Sequence, residues 1–254
     1  MVTYVVNDPG RPFLLAADID GTLLGDDEGE SAIRSFLTAN RTAVRFAVVT
    51  GRARGSVERL ISSGQLPQPD YICSSVGTEL VDCGDPEDRL GGRWTARVAP
   101  GWDVQAIYSA GEGPGVARQE FNHGQPLFQA GFSWDGRQDT LDSFRSRLQK
   151  LSGFRVLPSH GAYIDVLPEG FGKGDAVRFL QQELKVPRDR VIVAGDSGND
   201  REMFETDFPG IIVGNAHEEL IALADVDRHY HSPLPAGRGV LDGLRYFGLV
   251  SVAS

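Results

Sequence analysis

Short apolar runs that end in acidic or hydroxyl-bearing turns constrain this chain more than any other feature. Phe13–Ala17 leads into the turn DIDGT (18–22), Val44–Val49 into TGR (50–52), residues 70–73 into SSVGTE and residues 191–194 into GDSGND (195–200). Such runs lack a polar face, so they read as strands covered on both sides, the condition of a parallel sheet. Between and after them lie stretches with helical spacing: 31–39, where Ile33, Phe36 and Leu37 share a face, then 56–61, 175–184, 200–204, 218–224 and 239–247. A further strand is expected at 210–213. The alternation predicts an α/β fold with a doubly wound parallel sheet, a Rossmann-like core.

The rhythm breaks near Val81. Gly-rich turns, a helix at 103–110, a strand at 127–134, a helix at 139–150 and strand-like runs at 154–158 and 162–168 follow before it resumes. This predicts an inserted α+β cap over 82–167, with 1–81 and 168–254 forming one core.

Composition narrows the partners. The 254 residues, 41% hydrophobic and 24% charged, suffice for a core without disulfide or metal staples. A net charge of −10 argues against nucleic acid or an anionic membrane as main partner. No run approaches the roughly 18 apolar residues of a membrane span. The first residues lack the basic and apolar regions of a signal peptide. Cys73 and Cys83 form neither a metal spacing nor a disulfide framework, which fits a reducing cytoplasm. A monomer is expected.

Asp18, Asp20, Thr50, Asp196 and Asp200 fall just past strand ends, where a doubly wound sheet places its ligand, and Lys173 falls at a helix start. Singly, each has an ordinary explanation: a turn, a helix cap, a solvated lysine. Together they crowd four carboxylates into one pocket, which repel unless a cation lies among them. Oxygen donors with no His/Cys set at ligand spacing suit Mg²⁺ rather than zinc. Thr50 and Lys173 supply donors for phosphoryl oxygens. One carboxylate can serve as nucleophile and a second, two residues on, can move the proton.

DIDGT, VVTGR, GKGDA and GDSGND resemble the four motifs of the haloacid dehalogenase-like phosphatases, across about two-thirds of the chain. DYICSSVGTEL, SHGAYIDVLP, FGKGDAVRFLQQEL and GIIVGNAHEEL resemble the sucrose-phosphate phosphatase and mannosylfructose-phosphate phosphatase branch. The resemblance implies that Asp18 is the nucleophile and a Mg²⁺ ligand. It implies that Asp20 is the general acid/base and binds the metal through its carbonyl. Thr50, Gly51 and Lys173 would hold the phosphate, Asp196 would ligate the metal, and Asn199 and Asp200 would stand behind it. The implied activity is Mg²⁺-dependent hydrolysis of a phosphorylated sugar through an aspartyl-phosphate. Sucrose-6-phosphate and mannosylfructose-phosphate are the expected substrates, and a sugar-phosphate synthase is the expected partner.

Two cap positions depart from the branch. Gln129 stands where a lysine is expected, and Tyr163 replaces the first acid of an Asp-x-Asp pair, leaving Asp165. Asn122, His123, Gln129, His160, Tyr163 and Asp165 are the candidate sugar-binding residues. Phe132 and Trp134 fit cap packing better than sugar stacking. Arg52 and Arg54 are candidates for attracting an anion. His229 and His231 have strand spacing rather than a full metal set, and residues 233–239 read as a flexible loop at the cleft. A phosphomannomutase-like mutase or a non-catalytic sugar-phosphate-binding module remain alternatives.

Overall fold

A computed structural model describes residues 3–122, 124–159, 162–225 and 227–253, with only the backbone of Ser159. The first core segment holds β1 (Tyr4–Val6), β2 (Phe13–Ala17), α1 (Asp27–Ala39), β3 (Val44–Val49), α2 (Arg54–Ser62), β4 (Tyr71–Ser74), β5 (Glu79–Asp82) and α3 (Arg89–Val98). The cap holds α4 (Val104–Gly111), β6 (Val116–Arg118), β7 (Ala130–Trp134), α5 (Gln138–Leu148), β8 (Phe154–Ser159) and β9 (Tyr163–Pro168). The chain returns through α6 (Lys173–Leu184), β10 (Val191–Gly195), α7 (Arg201–Phe204), β11 (Gly210–Ile212), α8 (Glu218–Ile221), β12 (His229–His231), α9 (Ala236–Tyr246) and β13 (Val250–Val252).

The central sheet has the order β12-β11-β10-β2-β3-β4-β5, parallel except for β5. From β2 the chain builds outward through β3 and β4, then returns to place β10 on the other side of β2. That reversal opens a crevice beyond the carboxyl ends of β2 and β10. The apolar runs are covered on both faces. Phe13, Leu15 and Ala17 pack with α1, α2 and α9, whereas Leu14 and Ala16 pack with α3, α6 and α7. Strand alternation thus fills two core layers from one uninterrupted sequence.

The cap sheet, β6-β7-β9-β8, is antiparallel and one-sided. Ala130, Phe132, Ile164 and Val166 bury against Ile107, Leu141 and Phe144 of α4 and α5. The alternate residues, Gln129, Tyr163 and Asp165 among them, turn toward the core.

Three sequence expectations are corrected. Helix α3 was read as Gly-rich turns of the cap. It forms despite Gly91 and Gly92 because Asp88 caps its N-terminus, and Leu90, Trp94 and Val98 bury in the core layer. Trp94 lies 5.0 Å from the Phe179 ring and donates its indole N–H to the Thr78 carbonyl. Residues 79–98 therefore pack as core, and β5 extends the core sheet. Residues 233–239, expected to be a flexible loop, include the first turn of α9, whose Gly237 and Gly239 are buried. A side chain at Gly237 would stand 2.5 Å from the Gly29 carbonyl, so α9 and α1 approach there at backbone distance. The terminal strands β1 and β13, absent from the sequence reading, pair antiparallel with Tyr4 opposite Val252.

Candidate active site

Strand β2 delivers Asp18 and Asp20, β3 delivers Thr50, and β10 delivers Asp196 to one crevice. The Asp18 N–H donates to the Ala194 carbonyl at 3.0 Å, so the β2–β10 ladder fixes the first acid. The tight turn after it depends on Gly21, which has φ +78°; a Cβ there would lie 2.4 Å from Asp196 Oδ2. Helix α6 enters from the opposite wall. Gly77, at φ +84°, lets its first residues approach, since a Cβ there would lie 2.6 Å from the Gly172 carbonyl. The adjoining Val76 is also left-handed at φ 60°, unusual for a β-branched residue, and is held by its N–H to the Thr50 carbonyl at 2.9 Å.

Lys173 is fully buried at the start of α6. Its ammonium donates to Asp18 Oδ1 at 2.7 Å, Asn199 Oδ1 at 2.8 Å and Asp200 Oδ1 at 2.6 Å. An ammonium has three N–H groups, so these three acceptors saturate it. The sequence reading gave Lys173 to the phosphate as well. In this arrangement its protons all go to protein oxygens. Asp200 is equally committed: its Oδ2 accepts the N–H groups of Asp196 at 3.0 Å and Ser197 at 3.1 Å. Thr22, which the sequence reading passed over, donates its hydroxyl to Asp196 Oδ1 at 3.1 Å.

Burial pushes the Asp18 carboxyl up to about 7; Lys173 opposes the rise, and Asp200 and Asp196 add to it. Asp196 is raised to about 6, first by burial and then by Asp200, against Thr22 and Lys173. Burial alone would lower the Lys173 value, but Asp18 and Asp200 more than offset it and keep the ammonium protonated. One cation thus faces three buried carboxylates.

Oxygens of Asp18, Asp196 and Asp200 lie within 4.8 Å of one another. An oxygen-only, carboxylate-rich donor set fits a hard divalent cation, whose two charges match the two left uncompensated by Lys173. Asp18 Oδ2 and Asp196 Oδ2 are outside the hydrogen bonds just described. Both Asp200 oxygens are already engaged, by Lys173 and by the Asp196 and Ser197 N–H groups.

Asp20 stands apart, with its side chain about half exposed and clamped by Arg52: Nε to Oδ2 and Nη2 to Oδ1, both at 2.6 Å. Arg52 also donates to the Ser56 hydroxyl at 2.9 Å. Thr50 is buried, and its hydroxyl oxygen accepts the Arg52 N–H at 3.2 Å, leaving the hydroxyl proton for a ligand. Gly51 lines the same floor. Arg54 pairs with Glu58 instead, outside the cleft.

The cleft has a volume of about 890 Å³. Its cap wall includes Gln129, Tyr163 and Asp165, three of the six sugar-binding candidates, and also Gln119, Phe121 and Leu157, which no motif marked. His217 and Glu219, within the quoted GNAHEEL segment, close the core side; Glu219 accepts the Gly198 N–H at 3.0 Å. Asn122 is exposed and does not line the cleft, because the irregular chain there turns Gln119 and Phe121 inward instead. His123 and His160 lie outside the described residues. His229 is buried on the edge strand β12, with Nδ1 accepting the Asp225 N–H at 2.9 Å, while His231 is exposed.

The model of the sucrose-6F-phosphate phosphohydrolase family matches residues 11–248. The chain is 34% identical over 242 residues to mannosylfructose-phosphate phosphatase of Agrobacterium fabrum, covering 93% of this chain and 97% of that one. It is 31% identical over 238 residues to glucosylglycerol-phosphate synthase of Pseudomonas anguilliseptica, covering 93% of this chain but only 31% of the synthase. Among solved structures, the sucrose-phosphatase of Synechocystis in complex with sucrose and phosphate is similar at a TM-score of 0.80 and 28% identity, covering 96% of this chain and 100% of that one. With the motifs, the sheet order and the buried carboxylate–lysine cluster, these matches show that the chain belongs to the sucrose-6F-phosphate phosphohydrolase family of haloacid dehalogenase-like phosphatases.

Proposed function

We propose that the chain hydrolyses a disaccharide phosphate, of the kind of sucrose-6-phosphate or mannosylfructose-phosphate, to the free sugar and inorganic phosphate. The observation that carries this reading is one cleft with two unlike walls. Its floor presents Asp18, Asp20, Thr50 and Asp196, with Lys173 and Asp200 buried behind Asp18, and its cap wall presents the amides Gln119 and Gln129, the rings Phe121 and Tyr163, and a single carboxylate, Asp165. The relatives named as mannosylfructose-phosphate phosphatase and sucrose-phosphatase support the same substrate class.

Asp18, already oriented by Lys173, attacks the phosphorus in line. The bond to the sugar oxygen breaks as Asp20 delivers its proton to that oxygen, leaving an aspartyl-phosphate and the free sugar. Water then attacks the phosphorus and yields a proton to the Asp20 carboxylate; the bond to Asp18 breaks and its carboxylate returns. The Thr50 hydroxyl and the Gly51 main chain hold phosphoryl oxygens throughout. Mg²⁺, held by Asp18, Asp196 and the Asp20 carbonyl with Asn199 and Asp200 behind, would neutralise charge gathering on the phosphoryl group. For Asp20 to reach the leaving oxygen it must exchange at least part of its Arg52 clamp, which makes Arg52 the group that parks the acid between turnovers.

Free Cys73 and Cys83 support a reducing, cytoplasmic setting. A relative in which a segment like this chain is part of a synthase supports a sugar-phosphate synthase as partner. Phosphate release from sucrose-6-phosphate, mannosylfructose-phosphate, glucosylglycerol-phosphate and hexose phosphates, each with Mg²⁺ and with EDTA, tests the proposal. EDTA-sensitive turnover that favours one disaccharide phosphate is expected. Isomerised sugar phosphate without free phosphate would instead identify a mutase, and binding without either product would identify a non-catalytic module.

A further inference from the structure

Gln129 sits just before β7, on the face of the cap sheet that looks into the cleft, and is only 3% exposed. Its amide nitrogen donates to Asp165 Oδ1 at 2.7 Å. That contact fixes the amide orientation: the reverse assignment would press two acceptor oxygens together at 2.7 Å. The carbonyl oxygen Oε1 is thereby turned away from Asp165, and among the described residues it is buried with no hydrogen-bond partner. A buried acceptor without a partner is costly, and where one lines a ligand cleft it marks a position a ligand donor completes. Gln119, Phe121, Leu157, Pro158, Tyr163 and Asp165 line the cap side of the same cleft, with neither Lys nor Arg among the described lining residues of the cap.

From this we infer that Gln129 Oε1 is a specificity acceptor: it receives a hydrogen bond from a hydroxyl of the distal, uncharged part of the substrate, the part that carries no phosphoryl group. The inference rests on the sugar-phosphate reading of the site and sharpens it. A preoriented amide on the cap selects a hydroxyl donor, and the described residues of the cap wall include no Lys or Arg for a second anionic group.

The test compares kcat/KM for mannosylfructose-phosphate and sucrose-6-phosphate with that for p-nitrophenyl phosphate, whose leaving group has no hydroxyl to offer. Gln129→Met keeps side-chain length and removes the acceptor. The ratio of the preferred disaccharide phosphate to p-nitrophenyl phosphate falls about tenfold to a hundredfold, carried by KM. Gln129→Asn, which keeps an amide but withdraws it by one methylene, gives a smaller fall and serves where the Met variant folds poorly. If both substrates lose activity in equal proportion in both variants, Gln129 supports the cap rather than reading the ligand, and the inference is overturned while the phosphatase reading stands. A parent enzyme that turns over p-nitrophenyl phosphate but neither disaccharide phosphate overturns the substrate reading, and this inference with it.

Discussion

The two walls of the cleft are built on opposite principles. On the core side the reacting groups are held by one another: the Lys173 protons all have acceptors, both Asp200 oxygens are taken, and Asp20 is held at two points by Arg52, while one oxygen each of Asp18 and Asp196 stays open toward a cation. On the cap side the contacts are sparse, and a buried carbonyl is left open. Buried charges bound to one another around Lys173 resist reorganisation and so present the same geometry to every substrate. An incompletely satisfied wall gains most from the one ligand that completes it. Chemistry and selectivity are thereby separated between two pieces of the fold.

The sharpest way to break this division is at the floor. Asp18→Asn removes the nucleophile but keeps a side chain that can accept from Lys173, so turnover falls on the order of 10⁴-fold or more for every substrate, with a folded protein by thermal melt. Retained turnover on any substrate would mean that the floor is not the common chemical unit. Asp20→Asn leaves attack possible and removes proton transfer, and the loss is about 10²–10⁴-fold. It is greatest for sugars and smallest for p-nitrophenyl phosphate, whose leaving group needs no proton; an equal loss would mean that the second step, where Asp20 takes a proton from water for every substrate, limits turnover.

Acidity gives a third handle. Asp196 and Asp18 bind protons more readily in the folded chain, at about 6 and about 7, than at their ordinary value of 3.8. Without a divalent cation their stabilising contribution is fully present below the unfolded value and is lost as pH rises through those folded values. A cation binds the deprotonated pair, so the gain in melting temperature from Mg²⁺ over EDTA grows between pH 5 and pH 8. A gain that stays flat across that range would show that these carboxylates do not hold the metal. The smallest effect belongs to the cap: Tyr163→Phe removes one half-exposed hydroxyl and changes disaccharide-phosphate kcat/KM by less than about tenfold, with no change in the response to EDTA.

How much of this was legible in the sequence follows the same division. The floor was readable because each reacting group is bound to a strand end or helix start by local chain geometry, and apolar runs mark those strands. The bridge from Thr22 to Asp196 was not, since it joins residues 174 positions apart through a turn whose shape only Gly21 hints at. Helix α3 escaped because its two glycines weigh against a helix locally, and burial of Trp94 outweighs them only once the core sheet exists. Gln119 and Phe121 lie in irregular chain, where no periodicity tells which side chains turn inward. The clamp of Arg52 on Asp20 was half visible: both residues were marked, but their pairing depends on the strand register of β2 and β3.

The pairing of β1 with β13 has a further consequence. With Tyr4 opposite Val252 in one antiparallel ladder, the two ends of the described chain emerge side by side. A short polar loop joining them would close the polypeptide into a ring, and new ends opened at an exposed cap turn would leave both core layers covalently continuous. Circular permutants of this kind would carry the same floor with the cap severed at its tip, turning an insertion into two tails.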